Sequence, residues 1–105
     1  MNTPPALRDM SKEERSLLLF FESACVEHGG IFNSQHMNSE DFTIAATWKA
    51  SGFANIKRLK TAVINRLNGR YTHYCSLSPT AWSLAQEERR ERAARLRAQR
   101  DYIED

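Results

Sequence analysis

The chain has 105 residues, of which 41% are hydrophobic and 27% charged. That composition suits one soluble globular domain, and no apolar run is long enough to span a bilayer. The formal charge of +2 hides a polarity: no acid stands between Phe42 and Gln86, where Lys49, Lys57, Arg58, Lys60, Arg66 and Arg70 give about +6, while all 13 acids share the rest with nine Lys and Arg, about −4.

Residues 1–10, with Pro4-Pro5, read as a flexible N-terminal arm without the features of a signal peptide. Ser11 followed by Glu14 has the form of a capping box, which predicts a helix over Lys12–Glu27. Leu17, Leu18, Phe20, Phe21, Ala24, Cys25 and more weakly Val26 give that helix a wide apolar stripe, and Gly29-Gly30 ends it. Ile31–Met37 is a connector with room for a short strand. Asn38 or Ser39 then caps a second helix over Glu40–Ser51, with Glu40 and Asp41 opposing its dipole and Gly52 stopping it.

The next stretch supports two readings. Ile56, Leu59, Val63 and Leu67 recur at helical spacing, which favours a helix over at least Leu59–Leu67. Phe53–Lys60 could instead begin a strand with Phe53 turned inward. Asn68-Gly69 is a turn signal, and Arg70–Leu77 is aromatic and β-branched with a period near two, which predicts a strand. Ser78 as N-cap and Pro79 as first helical residue open a last helix. The predicted fold is mainly α with a small β-hairpin and a long C-terminal helix.

Beyond Gln86 the chain alternates Glu and Arg almost without large apolar residues, so a self-stabilised exposed helix is expected over residues 87–105. Glu88 stands at i,i+4 from Arg92, and Glu91 at i,i+4 from Arg95, with Glu87 one turn or two from the same arginines. Trp82, Ala85, Leu96 and Ile103 fall near one seam, interrupted by Arg89 and Arg92, which leaves a homodimer through this helix as an expectation. Arg89–Arg100 could also extend a phosphate contact.

Three steps along the chain resemble the back half of winged-helix DNA-binding domains. They are Ala50-Ser-Gly-Phe53, Asn68-Gly-Arg-Tyr-Thr-His73 and Leu77-Ser-Pro-Thr-Ala-Trp82. In that family a recognition helix ends in a Gly-Phe or Gly-Leu step, a two-stranded wing follows, and its second strand leads into a Ser/Thr-Pro helix start. The resemblance covers roughly 39–85 and implies a winged-helix-like domain over 11–86. Trp48 stands where the family has Ala before Gly52, so two placements stay open. Either Glu40–Ser51 is the recognition helix with Phe53–Leu77 as wing, or Ile56–Leu67 is the recognition helix. The short length and Arg-rich tail are also similar to small phage or prophage proteins.

Charge and resemblance together point to double-stranded DNA as partner. Lys49, Lys57, Arg58, Lys60, Arg66, Asn68 and Arg70 are the candidate contacts: cations neutralise phosphates, while Asn and Arg can read base edges. The expected role is a small transcriptional regulator or a phage or mobile-element accessory factor. The rival expectation is a protein-interaction module, such as a host-factor inhibitor or adaptor, on a degenerate winged-helix scaffold. There is no Gly-rich phosphate loop, HExxH or Gly-x-Ser-x-Gly, so no catalysis is expected. Cys25-x-x-His28 and His73-x-Cys75 contain zinc-type donors. Their spacing is not that of a zinc knuckle and Cys25 lies on the apolar stripe, so no metal or cofactor is expected. The two cysteines are read as reduced thiols of a cytoplasmic protein.

Overall fold

The first helix, α1 (Lys12–His28), begins at the capping box: the Glu14 amide donates to Ser11 Oγ at 3.1 Å, and the Ser11 amide donates to the Glu14 carboxylate at 2.9 Å. Two otherwise unpaired N-terminal donors are thereby satisfied. The helix ends on Gly29 in the left-handed conformation, with φ 64°. These features come from a computed structural model that describes residues 6–103, and for 101–103 the backbone alone. Residues 1–5 of the expected arm, and the Ile103 side chain of the expected seam, lie outside the described residues.

The described part of the arm is not loose. Leu7–Asp9 form a 3-10 turn against the C-terminal helix, and Leu7 and Met10 join the core. After Gly30 come β1 (Ile31–Phe32) and a second 3-10 turn over Ser34–His36. The second helix, α2 (Ser39–Ser51), carries its own capping box, in which Asn38 Oδ1 accepts from the Asp41 amide at 2.8 Å and Asp41 accepts from the Asn38 amide at 3.1 Å. Gly52 closes it at φ 80°.

The ambiguous stretch divides. Ala54–Arg58 is a strand, β2, and only Thr61–Arg66 is helical, α3. Ile56 falls on the helical pattern by coincidence: it pairs with Cys75 in an antiparallel ladder. Ladder hydrogen bonds and burial of Phe53 and Ala54 outweigh a propensity worth a few tenths of a kcal/mol per residue. The predicted strand Arg70–Leu77 is shortened to β3 (His73–Leu77). Pairing nonetheless continues past both strand ends, with the Leu59 amide on the Thr72 carbonyl at 2.9 Å and the Thr72 amide on the Phe32 carbonyl at 3.0 Å.

The sheet order is β1-β3-β2, antiparallel throughout, with β3 in the centre. Alternation places Phe32, His73, Cys75, Ala54, Ile56 and Arg58 on one face. Tyr74, Lys57, Asn55 and Ser76 lie on the other. α1 packs against β3, β1 and α2, and α2 packs against β2. Phe21 and Leu18 are fully buried at the centre. Phe21 meets Phe32 at 5.4 Å and Trp48 at 6.2 Å between ring centroids, and Trp48 meets Phe53 at 5.1 Å. The place where the family pattern has Ala is therefore filled by a core aromatic.

The last helix, α4 (Pro79–Ile103), starts as expected, with Ser78 Oγ accepting from the Ala81 amide at 3.1 Å. Its fully buried Ala81 and Ala85 belong to the core, and the helix packs along α1. The fold is thus mainly helical, with a small antiparallel sheet of three strands rather than two and a long C-terminal helix. No helix among the described residues is long and apolar enough to cross a membrane.

Candidate nucleic-acid interface

β2 leaves the core as it runs. Ala54 is buried, Asn55 and Ile56 are half-buried, and Lys57 and Arg58 are exposed. Period-two geometry sends these two cations to opposite faces, Lys57 beside Tyr74 and Arg58 beside His73. Arg58 Nη1 reaches Thr61 Oγ1 at 3.5 Å. Lys60 occupies the N-cap of α3 without a side-chain capping bond, and Arg66 is the last residue of that helix. Both are exposed.

Asn68-Gly69 lies in a turn, as the sequence predicts. It closes α3: the Gly69 amide donates to the Ile64 carbonyl at 2.9 Å, and Asn68 adopts a left-handed backbone at φ 58°. Asn tolerates that conformation better than most residues. Arg70 follows, exposed, with its backbone held from the opposite side of the sheet. Asn33 Nδ2 donates to the carbonyls of Gly69 at 3.4 Å and Arg70 at 3.2 Å. Lys57, Arg58, Lys60, Arg66, Asn68 and Arg70 thus share one arm built from β2, α3 and the approach to β3. Lys49 does not; it is exposed in the last turn of α2.

The ion pairs of the described residues lie away from this arm. Every ion pair among the described residues joins α1 to α4 or lies within α4. Arg15 meets Glu88 at 3.4 Å and Glu91 at 3.5 Å, Arg89 meets Glu22 at 2.5 Å, and Glu88 also takes Arg92 at 2.5 Å and Arg95 at 3.8 Å. None of the cations between Phe42 and Gln86 takes part. They stand exposed and unneutralised, with their charge available to an external polyanion.

His73 records the local field. Partial burial, and secondarily the Arg58 guanidinium, hold its pKa below the usual 6.5. Its ring stacks on Phe32 at 5.8 Å, and Nδ1 lies 2.9 Å from Thr72 Oγ1.

The outer face of α2 is a different chemistry. Phe42, Thr43, Ala46, Thr47 and Ala50 are exposed there. The two threonine hydroxyls donate back to the carbonyls of Ser39 and Thr43 at 3.1 and 3.2 Å. This face offers methyl and ring contacts, with the exposed Lys49 beside Phe42 and Ala46 at helical spacing.

Two features of the site region do not follow from the sequence pattern. The charged C-terminal run is not simply a solvated helix: Glu88 is 1% exposed and serves as the centre of the α1–α4 contact. Glu91 pairs with Arg15 and not with Arg95, and Arg89 and Arg92 reach Ser23 and Ser16 on α1. The zinc-type donors also divide. Cys25 and Cys75 come together, with their sulfurs 3.8 Å apart, whereas His28 lies against Tyr71 and His73 against Phe32. Among the described residues no three such donors cluster.

No protein-family model, curated protein or solved structure matches the chain.

Proposed function

We propose that this protein is a small, non-enzymatic binder of double-stranded DNA, with β2, α3 and β3 as a basic wing and α2 as the neighbouring helix. One observation carries the reading: six cations of an acid-free segment are exposed, and none is ion-paired among the described residues. Ordinary solvated faces mix both signs. The order in which α2 ends at Gly52-Phe53, β2 and β3 follow, and Ser78-Pro79 opens α4 supports the winged-helix likeness in its first placement. Phosphate binding dominates in such an arrangement, because five of the six cations lie on the arm and α2 adds only Lys49. Weak sequence preference and strong salt dependence follow. Regulation of transcription or service to a mobile element are the roles that such binding would serve.

The test is a variant carrying Lys57→Gln, Arg58→Gln, Lys60→Gln and Arg66→Gln. For every phosphate that a removed cation had neutralised, the slope of log K against log salt should shrink by about 0.9. Affinity for duplex DNA should fall at least tenfold at moderate salt, with an unchanged circular dichroism spectrum. Affinity equal to that of the parent chain would end the proposal.

A protein partner is the second reading, favoured by Phe42, which is 43% exposed on the outer face of α2. A Phe42→Ala variant that loses a nuclease-resistant partner and keeps DNA affinity would establish it. A homodimer through α4 would use Leu96, which is 60% exposed, whereas Ala85 of the expected seam is buried within the chain. Leu96→Glu should then dissociate it in sedimentation velocity, and an unchanged sedimentation coefficient removes that seam.

A further inference from the structure

Cys25 and Cys75 are 50 positions apart in sequence, yet their sulfurs stand 3.8 Å apart, close to van der Waals contact, and both thiols are free. Cys25 lies on the last turns of α1 and is half-buried; Cys75 lies in the central strand and is buried. Cys25 Sγ is also 3.6 Å from the Cys75 carbonyl oxygen, and Cys75 Sγ is 3.7 Å from that of Phe21. We propose that the two cysteines are a redox-responsive pair, which a hydroperoxide closes to an intramolecular disulfide tying α1 to β3.

The arrangement gives each sulfur a part. Cys25, the more accessible, meets the oxidant first. Its thiolate attacks one peroxide oxygen, an S–O bond forms as the O–O bond breaks, and the leaving oxygen departs as water once protonated. The sulfur of Cys75, already in contact, then attacks the sulfenic sulfur. An S–S bond forms, the S–O bond breaks and a second water leaves. In total two thiols and one hydroperoxide give one disulfide and two waters, or one water and one alcohol from an alkyl hydroperoxide. Closure to a bond of about 2.05 Å requires the sulfurs to approach further, and the half-buried Cys25 side chain can supply the rotation. Cys75 has no other thiol among the described residues with which to pair. Burial raises the pKa of both thiols, so closure should be slow at neutral pH and accelerate into the alkaline range.

The experiment treats the full chain with hydrogen peroxide and then alkylates it under denaturing conditions. The expected product is monomeric on a non-reducing gel, lighter by about 2 Da, with neither cysteine alkylated, and a dithiol restores both thiols. Cys25→Ser and Cys75→Ala variants, each checked for native circular dichroism, should not yield it. Three results would overturn the proposal: both thiols remaining alkylatable after exposure, a disulfide between two chains, or sulfinic acid on Cys25 beside a free Cys75. None of these readouts involves DNA, so the outcome is independent of the function proposed above.

Discussion

Gly30 sits where three demands meet. Its φ is 96°, its carbonyl accepts the Cys75 amide at 2.8 Å, and a Cβ on it would lie 2.6 Å from the Cys75 carbonyl oxygen. Gly30→Ala should therefore cost about 2 kcal/mol or more in urea denaturation, from backbone strain plus the displacement of β3. Gly52 is the internal control. At φ 80° it also needs a left-handed backbone, but a Cβ there meets nothing. Gly52→Ala should cost only about 1 kcal/mol. Equal costs would show that the close approach to Cys75 is unimportant. His73 gives a second prediction at this scale. Its pKa is lowered on folding, so between that value and 6.5 the unfolded chain binds more protons than the native one. Stability should fall as pH drops below about 6.5 and recover above it. His73→Gln should flatten that limb of a stability-against-pH curve, and an unflattened limb would assign it to other groups.

Among the elements, α4 shows how partner choice escapes local reading. Its Glu and Arg residues fit neighbours on the same helix equally well, and Arg92 does pair with Glu88 at i,i+4. Besides Arg92 and Arg95, the partners of Glu88 and Arg89 are Arg15, Glu22 and Ser23, more than 60 positions away in sequence. Replacing Arg15 and Arg92 together by Ala would leave the Glu88 carboxylate buried with only Arg95 near it. That should destabilise the chain by about 2–3 kcal/mol in thermal or urea unfolding, discounted for the partial exposure of both guanidinia. A change under about 0.5 kcal/mol would mean that the α1–α4 packing rests on Ala81 and Ala85 alone. Features fixed by a few adjacent residues were legible in the sequence: the capping box at Ser11, Gly29 as a helix stop, and Ser78-Pro79 as a helix start. The division of Phe53–Leu67 was not, because it depends on the register of Ile56 against Cys75. Nor was the meeting of Cys25 with Cys75, which needs α1 laid across β3.

Across the whole molecule, charge is sorted by architecture. Glu22, Glu88 and Glu91 hold α1 and α4 together, while the middle of the chain contributes five cations to an arm that keeps them exposed. The candidate residues themselves were legible, because the absence of acids from Phe42 to Gln86 is a property of sequence alone. Their grouping was legible only in part: the turn at Asn68-Gly69 stands where the sequence puts it, but Lys49 is separated from the arm. A molecule sorted in this way is nearly neutral overall and should still bind polyanions.

The most direct test is fluorescence anisotropy of the unmodified chain on a random-sequence DNA duplex, titrated from low to moderate salt. The account predicts binding at low salt whose logarithm falls linearly with log salt, with a slope of about −3.6 to −4.5 if four or five of the arm cations touch phosphates. Absence of binding at the lowest salt, or affinity indifferent to salt, would contradict it.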